Sequence, residues 1–382
     1  MQKSFSNMTL NSLHAFGEDD EWINKAPITE SSPKVLIIYT GGTMGMNIQD
    51  DGGLAPERGY LTKRIKEMEE MANKNMPHCR IKEYDVLIDS SDMTYDDMGR
   101  MATDINNEYF NYDGFVVITG TDTMAYAATA LSFMLENLAK TVVFTGSQIP
   151  FSEIYNDARR NLIASVIFAG NREFSEVCVC FNDRLLRGCR TVKINSFGLD
   201  AFHSPNLDPL ATLGVNISLR KDIAMPPPQA PFRVFNKLSR EIVVVQLLPS
   251  FYIESLDCIV EHTNGLKGII VQFFGAGNGP SSTSAGLVTV LAKARDKGIL
   301  VIATSQCLKG SVVLNMYSAS SAFAKLGVIS AGDMTKEACA VKLSYLFAKH
   351  GNDLTKISTL FQQNLRGEKS DDLTYTKSWK FN

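Results

Sequence analysis

The sequence predicts an α/β protein of two domains: a larger N-terminal domain on a doubly wound, mostly parallel sheet, and a smaller C-terminal α/β domain. Short apolar segments alternate with helical segments along most of the chain, which is typical of parallel sheets with right-handed crossovers. These apolar segments are continuous, as in strands buried on both faces. A proline cluster from Met225 to Pro231, with four prolines in seven residues, marks a stiff linker between two such units.

The chain of 382 residues is long enough for two ordinary globular domains. We predict a polar N-terminal extension (1–30), a catalytic α/β domain (31–222), a Pro-rich linker (223–240) and a C-terminal α/β domain (241–382). The extension carries the acidic run Glu18 to Glu21 and lacks the apolar middle of a signal peptide. We expect it to be disordered or loosely docked.

Composition and charge argue against several classes of partner. The formal net charge is −3, so there is no basic field for nucleic acid or an anionic membrane surface. No apolar run approaches the roughly 20 residues that span a bilayer. The seven cysteines are scattered and odd in number, which favours free thiols in a reducing, cytoplasmic compartment. The five histidines are isolated, so no metal site is predicted.

The predicted strands are short, apolar and bounded by glycine or polar turns. In the first domain they span 35–39, 81–88, 114–118, 141–145 and 177–181. In the second domain they span 242–247, 268–274 and 299–303, with helices between and after them.

The predicted helices of the first domain occupy the segments between its strands, at 61–76, 96–107, 124–140 and 158–168. The first is charged and rich in methionine, as in a surface helix. The third has an i,i+4 pair, Glu136 and Lys140, that would stabilise it. Residues 47–59 hold three glycines and two aspartates and predict a long mobile loop, of the length that often serves as a lid.

Three of the predicted strands end in the same dipeptide, Thr-Gly. The first leads into Thr40-Gly-Gly-Thr43, and the others end at Thr119-Gly120 and Thr145-Gly146. The paired glycines of the first end allow a sharp turn and a close approach of the backbone to a ligand. A fourth strand ends in the polar run Asp89 to Asp92. Because ligands bind outside the carboxyl ends of parallel strands, these four ends predict one shared site.

Hydrolysis of an amide or ester needs a nucleophile, a proton acceptor and donors for the oxyanion. The Gly-x-Ser-x-Gly and P-loop patterns are absent. The strand ends supply instead threonine hydroxyls, Asp122 and backbone N–H groups. A threonine hydroxyl needs a neighbour that accepts its proton, and a partly buried lysine can do so because desolvation favours the neutral amine. Lys193 follows a predicted strand of the same sheet and could reach Asp122.

Each of these residues also has an ordinary structural interpretation. Thr43 could bond its own backbone in a turn, and Asp122 could cap the helix that follows it. The segment from Asp89 to Ser91 fits turn or cap positions equally well. Lys193 could be a solvated surface lysine, which is the commoner state of this residue.

Five segments together resemble the L-asparaginases, with the best agreement in the cytosolic, type I branch. They are Tyr39-Thr-Gly-Gly-Thr-Met-Gly, Asp89-Ser-Ser-Asp-Met, Thr119-Gly-Thr-Asp-Thr-Met-Ala-Tyr, Thr145-Gly-Ser-Gln-Ile-Pro and Arg187-Gly-Cys-Arg-Thr-Val-Lys. The similarity covers roughly residues 34–367 and includes Ser204-Pro-Asn-Leu, Gly332-Asp-Met-Thr and Asn364-Leu-Arg-Gly. Two separated threonine motifs in this order are highly specific, whereas either alone would be only suggestive.

The resemblance implies an L-asparagine amidohydrolase that uses no metal or organic cofactor. Thr43 then corresponds to the nucleophile that attacks the side-chain amide. Thr121, Asp122 and Lys193 correspond to a second constellation, which handles the proton of the attacking group. The Gly42 turn and the backbone of Thr121 correspond to oxyanion donors.

The resemblance also implies how the substrate is held and how the protein assembles. Asp89, Ser90 and Ser91 correspond to the residues that hold the α-amino and α-carboxylate groups of L-asparagine. Thr121 and Asp122 also correspond to substrate-binding residues. Asn278 matches a position that the family supplies to the site from a neighbouring subunit. A cytoplasmic homodimer or homotetramer follows, with no nucleic acid or membrane partner.

The sequence departs from the family at the lid. Family members often carry a tyrosine beside the nucleophile, and the matching position here is Leu54. Leucine cannot hydrogen-bond Thr43, so Tyr60 and Tyr317 are the candidate substitutes.

A second departure concerns regulation, since some cytosolic members bind asparagine at a second site. Ser305 and Cys307 fit that site, but Val192 and Gln272 replace a hydroxyl residue and an arginine. Loss of the arginine removes a bidentate partner for a carboxylate. We therefore do not expect this regulation here.

Two other functions fit the same resemblance. One is the amidotransferase subunit that releases ammonia for tRNA-bound glutamate, but that relative carries an extra N-terminal barrel-like domain, which thirty polar residues cannot build. The other is a non-catalytic amino-acid-binding sensor. The intact set Thr43, Thr121, Asp122 and Lys193 argues against a sensor, which has no need of a nucleophile and its base.

Overall fold

A computed structural model describes residues 22–24, 26–48, 52–282, 286–315 and 318–371. Most of the predicted N-terminal extension lies outside these ranges. Its described end is docked, because the Ile23 N–H donates to the carbonyl of Cys79. The Asn24 amide donates to the carbonyls of Asn73 and Met76 at 2.8 and 3.0 Å.

The larger sheet has eight strands: β1 Lys34–Tyr39, β2 His78–Glu83, β3 Gly114–Ile118, β4 Thr141–Thr145, β5 Val177–Phe181, β6 Arg184–Arg187, β7 Ala211–Leu213 and β8 Ile217–Leu219. Their order across the sheet is β8-β7-β6-β5-β4-β3-β1-β2. The first five strands of this sheet, β1 to β5, are parallel, and β6 to β8 add antiparallel pairs at one side. The predicted mostly parallel sheet is confirmed.

Helices cover both faces of this sheet: α1 Tyr60–Lys66, α2 Tyr95–Glu108, α3 Met124–Met134 and α4 Ala158–Gly170. Side chains of β1 alternate between two apolar cores, as the period of a strand requires. Leu36 and Ile38 belong to the core that includes α2 and α3. Val35 and Ile37 belong to the core that includes α1 and α4. The sheet is therefore doubly wound, as predicted.

Two predicted helices are shorter than expected because long-range contacts replace their ends. The helix predicted at 61–76 ends at Lys66, and the following methionines, Met68 and Met71, are buried in irregular turns. The helix predicted at 124–140 ends at Met134, because Leu135–Glu136 pairs as a short strand with Arg233–Val234.

The predicted Glu136–Lys140 pair is wrong for the same reason. The Glu136 carboxylate instead bonds Tyr345 and Lys349 of the smaller domain. The Lys140 ammonium donates to the backbone carbonyls of Tyr109 and Tyr112. Both side chains thus bond to residues distant in sequence and not to each other.

The smaller domain has four parallel strands in the order β9-β10-β11-β12: β9 Ile242–Gln246, β10 Gly268–Phe273, β11 Leu300–Ser305 and β12 Ile329–Ser330. Its helices are α5 Ile253–His262, α6 Leu287–Asp296, α7 Ser318–Lys325, α8 Lys336–His350 and α9 Leu354–Gln362. The two sheets confirm a two-domain α/β protein, while the exact domain boundaries stay a prediction.

A buried ion pair joins the domains behind the larger sheet. Arg190 follows β6 and lies 2.8 Å from the Asp333 carboxylate of the smaller domain, with both side chains almost fully buried. Arg190 also donates to the carbonyl of Gly367, and Ser370 bonds Asp333. None of the described helices is long and apolar enough to cross a bilayer.

Candidate active site

The strand order places the candidate site at the centre of the larger sheet. β1 and β3 are neighbours, yet β2 lies on the outer side of β1, so the chain reverses direction across the sheet at this point. In doubly wound sheets, ligand crevices form at such topological switch points. The Thr43 turn follows β1 and the Thr121 turn follows β3, so the two threonine motifs flank the crevice.

Glycine contacts show how closely these strand ends approach. A Cβ placed on Gly42, where φ is +92°, would lie 2.3 Å from the backbone N of Gly120. A Cβ on Gly120 would lie 2.5 Å from the Ser90 hydroxyl oxygen. Real Cβ atoms are excluded at these distances, so both positions require glycine. Two strand ends and the Asp89 segment therefore converge. The strand predicted at 81–88 is wrong in its bounds, because β2 ends at Glu83 and an irregular segment, 84–89, leads from it to Ser90.

Lys193 links two residues of the second threonine motif. Its Nζ donates to the Thr121 hydroxyl and to the Asp122 carboxylate, each at 2.7 Å. The lysine side chain is only 17% exposed, whereas that of Asp122 is 67% exposed. A short hairpin, Val192–Lys193 paired with Phe202–His203, carries the lysine across from β6. The predicted contact with Asp122 is confirmed, and the interpretation of Lys193 as a solvated surface residue is wrong.

The structure also tests whether Asp122 caps the helix after it. The N-cap residue of α3 is Thr123, and no side-chain cap bond is present there. The Thr123 hydroxyl instead donates to the carbonyl of Ser90 at 2.8 Å, which joins the turn after β3 to the Asp89 segment. Asp122 therefore accepts a hydrogen bond from Lys193 and does not cap the helix.

Gln148 also contacts the candidate site, although no role was predicted for it. It follows β4, and its amide oxygen lies 3.3 Å from the Thr121 hydroxyl, which donates to it. Its amide nitrogen donates to the carbonyl of Gly198 at 3.2 Å. The only signal in the sequence was its place in the third Thr-Gly strand end.

The Asp89 segment forms the third side of the site. Asp89 Oδ1 accepts from both the backbone N–H and the hydroxyl of Ser91, each at 2.8 Å. The hydrogen bond from the Ser91 backbone, and to a lesser extent the one from its hydroxyl, lowers the pKa of Asp89. The carboxylate is therefore charged. Asp89 does cap the turn Ser90–Asp92, as the structural interpretation held. Both bonds use one carboxylate oxygen, so the cap and a binding role are compatible.

The Thr43 turn and the hairpin after it are less constrained. Thr43 begins a single turn, Thr43–Gly45, and its side chain is half-buried. The predicted long loop contains a hairpin, Met46–Ile48 paired with Leu54–Pro56, although its tip lies outside the described residues. Leu54 is 48% exposed. Tyr60 begins α1, and Tyr317 lies outside the described residues.

Asn278 lies in the smaller domain, where it closes a tight turn with Phe274. The two residues exchange backbone hydrogen bonds of 2.8 and 2.9 Å. The side-chain oxygen of Asn278 is buried and has no hydrogen-bond partner among the described residues. Within one chain, no hydrogen bond between described residues links Asn278 to the larger sheet.

The four positions matched to a second, regulatory site line one cavity of about 160 Å³ between the domains: Val192, Gln272, Ser305 and Cys307. Lys193 lines the same cavity.

The described residues contain no cluster of three or more potential metal ligands.

Comparisons with known proteins show the family. The family model "Asparaginase, N-terminal" matches residues 34–225, and "Glutaminase/Asparaginase C-terminal domain" matches residues 241–361. L-asparaginase 1 of Escherichia coli (strain K12) is 40% identical over 338 residues, which cover 88% of this chain and 98% of that protein. L-asparaginase of Dirofilaria immitis is 40% identical over 87% of this chain, which spans only 60% of that longer relative.

A solved structure is also similar. L-asparaginase I from Vibrio cholerae O1 biovar eltor str. N16961 superposes with a TM-score of 0.81 at 39% identity, covering 89% of this chain and 99% of that one. The fold and the site define a two-domain α/β protein with a hydroxyl- and lysine-lined crevice at the switch point of its larger sheet. The chain belongs to the asparaginase family, as its motifs predicted.

Proposed function

We propose that the protein hydrolyses the side-chain amide of L-asparagine, giving L-aspartate and ammonia. The observation that carries this proposal is the pair of 2.7 Å hydrogen bonds from Lys193 to Thr121 and Asp122, beside the Gly42–Gly120 contact. It supplies a proton-handling group next to the turn that bears Thr43. Hydroxyl nucleophiles need such a group.

In the proposed mechanism, the Thr43 hydroxyl attacks the amide carbon of the substrate and forms a tetrahedral intermediate. Thr121 and Lys193 take the hydroxyl proton, and the backbone N–H groups of the Gly42 and Thr121 turns stabilise the oxyanion. The carbon–nitrogen bond then breaks, and the leaving nitrogen is protonated and departs as ammonia. Water hydrolyses the resulting aspartyl ester, which restores Thr43.

The Asp89 carboxylate fits the role of partner for the substrate α-amino group, because hydrogen bonds from Ser91 keep it charged. The Ser90 hydroxyl supplies a donor for the α-carboxylate, while Ser91, whose N–H and hydroxyl both donate to Asp89, holds that carboxylate in place. No metal or organic cofactor enters this mechanism.

We also propose a cytoplasmic homodimer or homotetramer in which Asn278 completes the site of a neighbouring subunit. The buried, unpartnered oxygen of Asn278 supports this, since buried polar atoms are normally hydrogen-bonded. Large apolar side chains after the strands of the larger sheet, Ile154, Tyr155 and Phe197, are exposed, as in an interface. All seven cysteines are unpaired, which supports a reducing compartment.

One assay tests the proposal: ammonia release from L-asparagine, L-glutamine and D-asparagine by the purified full chain. We expect turnover of L-asparagine that is lost on Thr43→Ala and retained in Thr359→Ala, an exposed threonine on α9. Binding of L-asparagine without ammonia release would instead support a sensor, and release only with a tRNA-dependent partner would support an amidotransferase subunit.

A further inference from the structure

Thr123 occupies the N-cap position of α3 but does not cap that helix. Threonine is favoured at this position because its hydroxyl can accept from the free N–H groups of the first turn. No side-chain cap bond forms here. The half-buried hydroxyl donates instead to the carbonyl of Ser90 at 2.8 Å, and its oxygen lies 3.8 Å from the sulfur of Met93. Thr123 thus bonds the Asp89 segment in place of its own helix.

Ser90 contacts the turn after β3 at two points. Its carbonyl accepts the bond from Thr123. Its hydroxyl oxygen would lie 2.5 Å from a Cβ on Gly120. The same carbonyl accepts a longer bond, 3.4 Å, from the N–H of Met93 in its own turn. Because Ser90 is buried, water does not readily replace the Thr123 bond if it is lost.

The other end of the Asp89 segment is fixed to the end of β1. The N–H of Ile88 donates to the carbonyl of Thr40 at 2.7 Å. A Cβ on Gly41, where φ is +133°, would lie 2.3 Å from the Ile88 carbonyl oxygen, so the two backbones are in contact. The segment is therefore held between the two threonine motifs, by Ile88 at one end and by Thr123 at the other.

We propose that Thr123 is a positioning residue for the substrate. Its bond to Ser90 holds the Asp89 segment at the distance from Thr43 and Thr121 that suits the α-amino and α-carboxylate groups of the amino acid. Thr123 acts through that segment and takes no part in the bond-making steps. This inference rests on the proposed function, because the segment is the one assigned there to the amino acid.

A positioning bond and a purely structural bond have different kinetic effects. The α-amino and α-carboxylate groups are unchanged in the substrate, the transition state and the product. A contact that binds all three equally raises KM when it is lost and leaves kcat unchanged. A bond that only stabilises the fold acts otherwise, since unfolded molecules lower the apparent kcat and leave KM unchanged.

The test variant is Thr123→Val, which removes the donor and keeps a branched side chain. Ammonia release should give a KM for L-asparagine that is raised about threefold to tenfold, as for one net hydrogen bond, with kcat within about twofold of the wild type. Calorimetry should show the dissociation constant of L-aspartate raised by a similar factor. Thr123→Ser keeps the hydroxyl and should restore both constants.

Thr129→Val is the matched control, because this buried threonine lies further along the same helix and donates to the carbonyl of Ala125 at 2.7 Å. It should leave KM and the L-aspartate dissociation constant as in the wild type. Unchanged constants in Thr123→Val, equal rises in Thr129→Val, or no restoration by Thr123→Ser would each overturn the proposal. If Thr123→Val does not fold, Thr123→Ala decides by the same constants, since no cap bond is lost at this position.

Binding without turnover separates this inference from the proposed function. Weaker binding of L-aspartate by Thr123→Val, together with no ammonia from the wild type, would uphold the positioning role and reject the amidohydrolase. An active wild type whose KM is unchanged in Thr123→Val would reject the positioning role and leave the amidohydrolase intact. A wild type that neither binds L-aspartate nor releases ammonia would reject both.

Discussion

The Thr121 side of the site and the Thr43 side differ in how many bonds a single chain supplies. Lys193, Asp122 and Gln148 all hydrogen-bond on the Thr121 side, and the lysine is mostly buried. The Thr43 hydroxyl is half-buried and has no hydrogen bond to another described residue. Its neighbouring hairpin exposes Leu54. The Thr121 side, which we propose handles the proton, is therefore already hydrogen-bonded within one chain, whereas the Thr43 side leaves room for other groups.

The difference has a structural cause. Arg190, three residues before Lys193, forms a buried ion pair with Asp333 of the smaller domain. This pair anchors the segment that carries the lysine on the Thr121 side. The Thr43 side connects to a hairpin whose strands are only three residues long. Preorganised groups stabilise charge without reorganising during reaction.

The largest effect should come from removing the nucleophile. Thr43→Ala should reduce ammonia release by roughly 10⁴-fold or more, because no oxygen remains to form the aspartyl ester. Mass spectrometry after rapid quenching should show an acyl adduct on the Thr43 peptide of the wild type and none on that of the variant. An adduct on the Thr121 peptide of the wild type would exchange the roles of the two threonines.

Substitutions on the Thr121 side should lower turnover less than the loss of Thr43. Lys193→Met and Thr121→Ala should each lower turnover by roughly 10²–10⁴-fold, as for a positioned acid–base group. Both keep the nucleophile, so a slow adduct should still form on Thr43. Lys221→Met serves as control, since this lysine pairs with Glu173 and is 62% exposed. Full activity in Lys193→Met would remove the lysine from the mechanism.

The brace behind Lys193 should matter chiefly for stability. Asp333→Asn leaves Arg190 buried without its partner and should cost about 3–5 kcal/mol in the free energy of unfolding, measured by urea denaturation. Asp85→Asn breaks an Arg58 pair that is 69% exposed on both sides and should cost less than about 1 kcal/mol. Similar losses in both variants would contradict a buried brace.

Acid should weaken the same brace. Burial alone would raise the pKa of Asp333, but the charge and hydrogen bond of Arg190, with bonds from Ser370, lower it below its ordinary value. A carboxyl with a lowered folded-state pKa stabilises the protein above its unfolded-state pKa, and this contribution is lost as the pH falls through the folded-state pKa. The stability difference between wild type and Asp333→Asn should therefore shrink as the pH falls below about 4.

Assembly should affect the open side of the site. If Asn278 completes the site of a neighbouring subunit, specific activity should fall on dilution in step with dissociation of a dimer or tetramer. Sedimentation and ammonia release measured on the same dilution series test this. A fully active monomer would show that one chain completes the Thr43 side by itself.

The smallest effect should come from the lid. Leu54 cannot hydrogen-bond Thr43, so Leu54→Ala should change turnover little, while Tyr60→Phe or Tyr317→Phe should lower it more. Equal, negligible effects of both tyrosine changes would leave the Thr43 hydroxyl without a lid partner.

Several features could be predicted from the sequence because they depend on local pattern. Continuous apolar runs bounded by glycine gave the buried strands β1, β3, β4 and β5 nearly residue by residue. Parallel strands place their carboxyl ends at one edge, so the shared site and the Lys193–Asp122 contact also followed. The sequence motifs correctly predicted membership of the asparaginase family.

Other features were decided by tertiary structure alone. The α3 helix stops at Met134 because Leu135 and Glu136 find partners about a hundred and two hundred residues away. The side-chain hydrogen bonds of Gln148 depend on a hydroxyl and a loop carbonyl that meet only after folding. Sequence pattern reports which face of an element is apolar. It does not report which distant donor or acceptor reaches a given polar atom. Those pairings set where helices end and which hydrogen bonds form in the site.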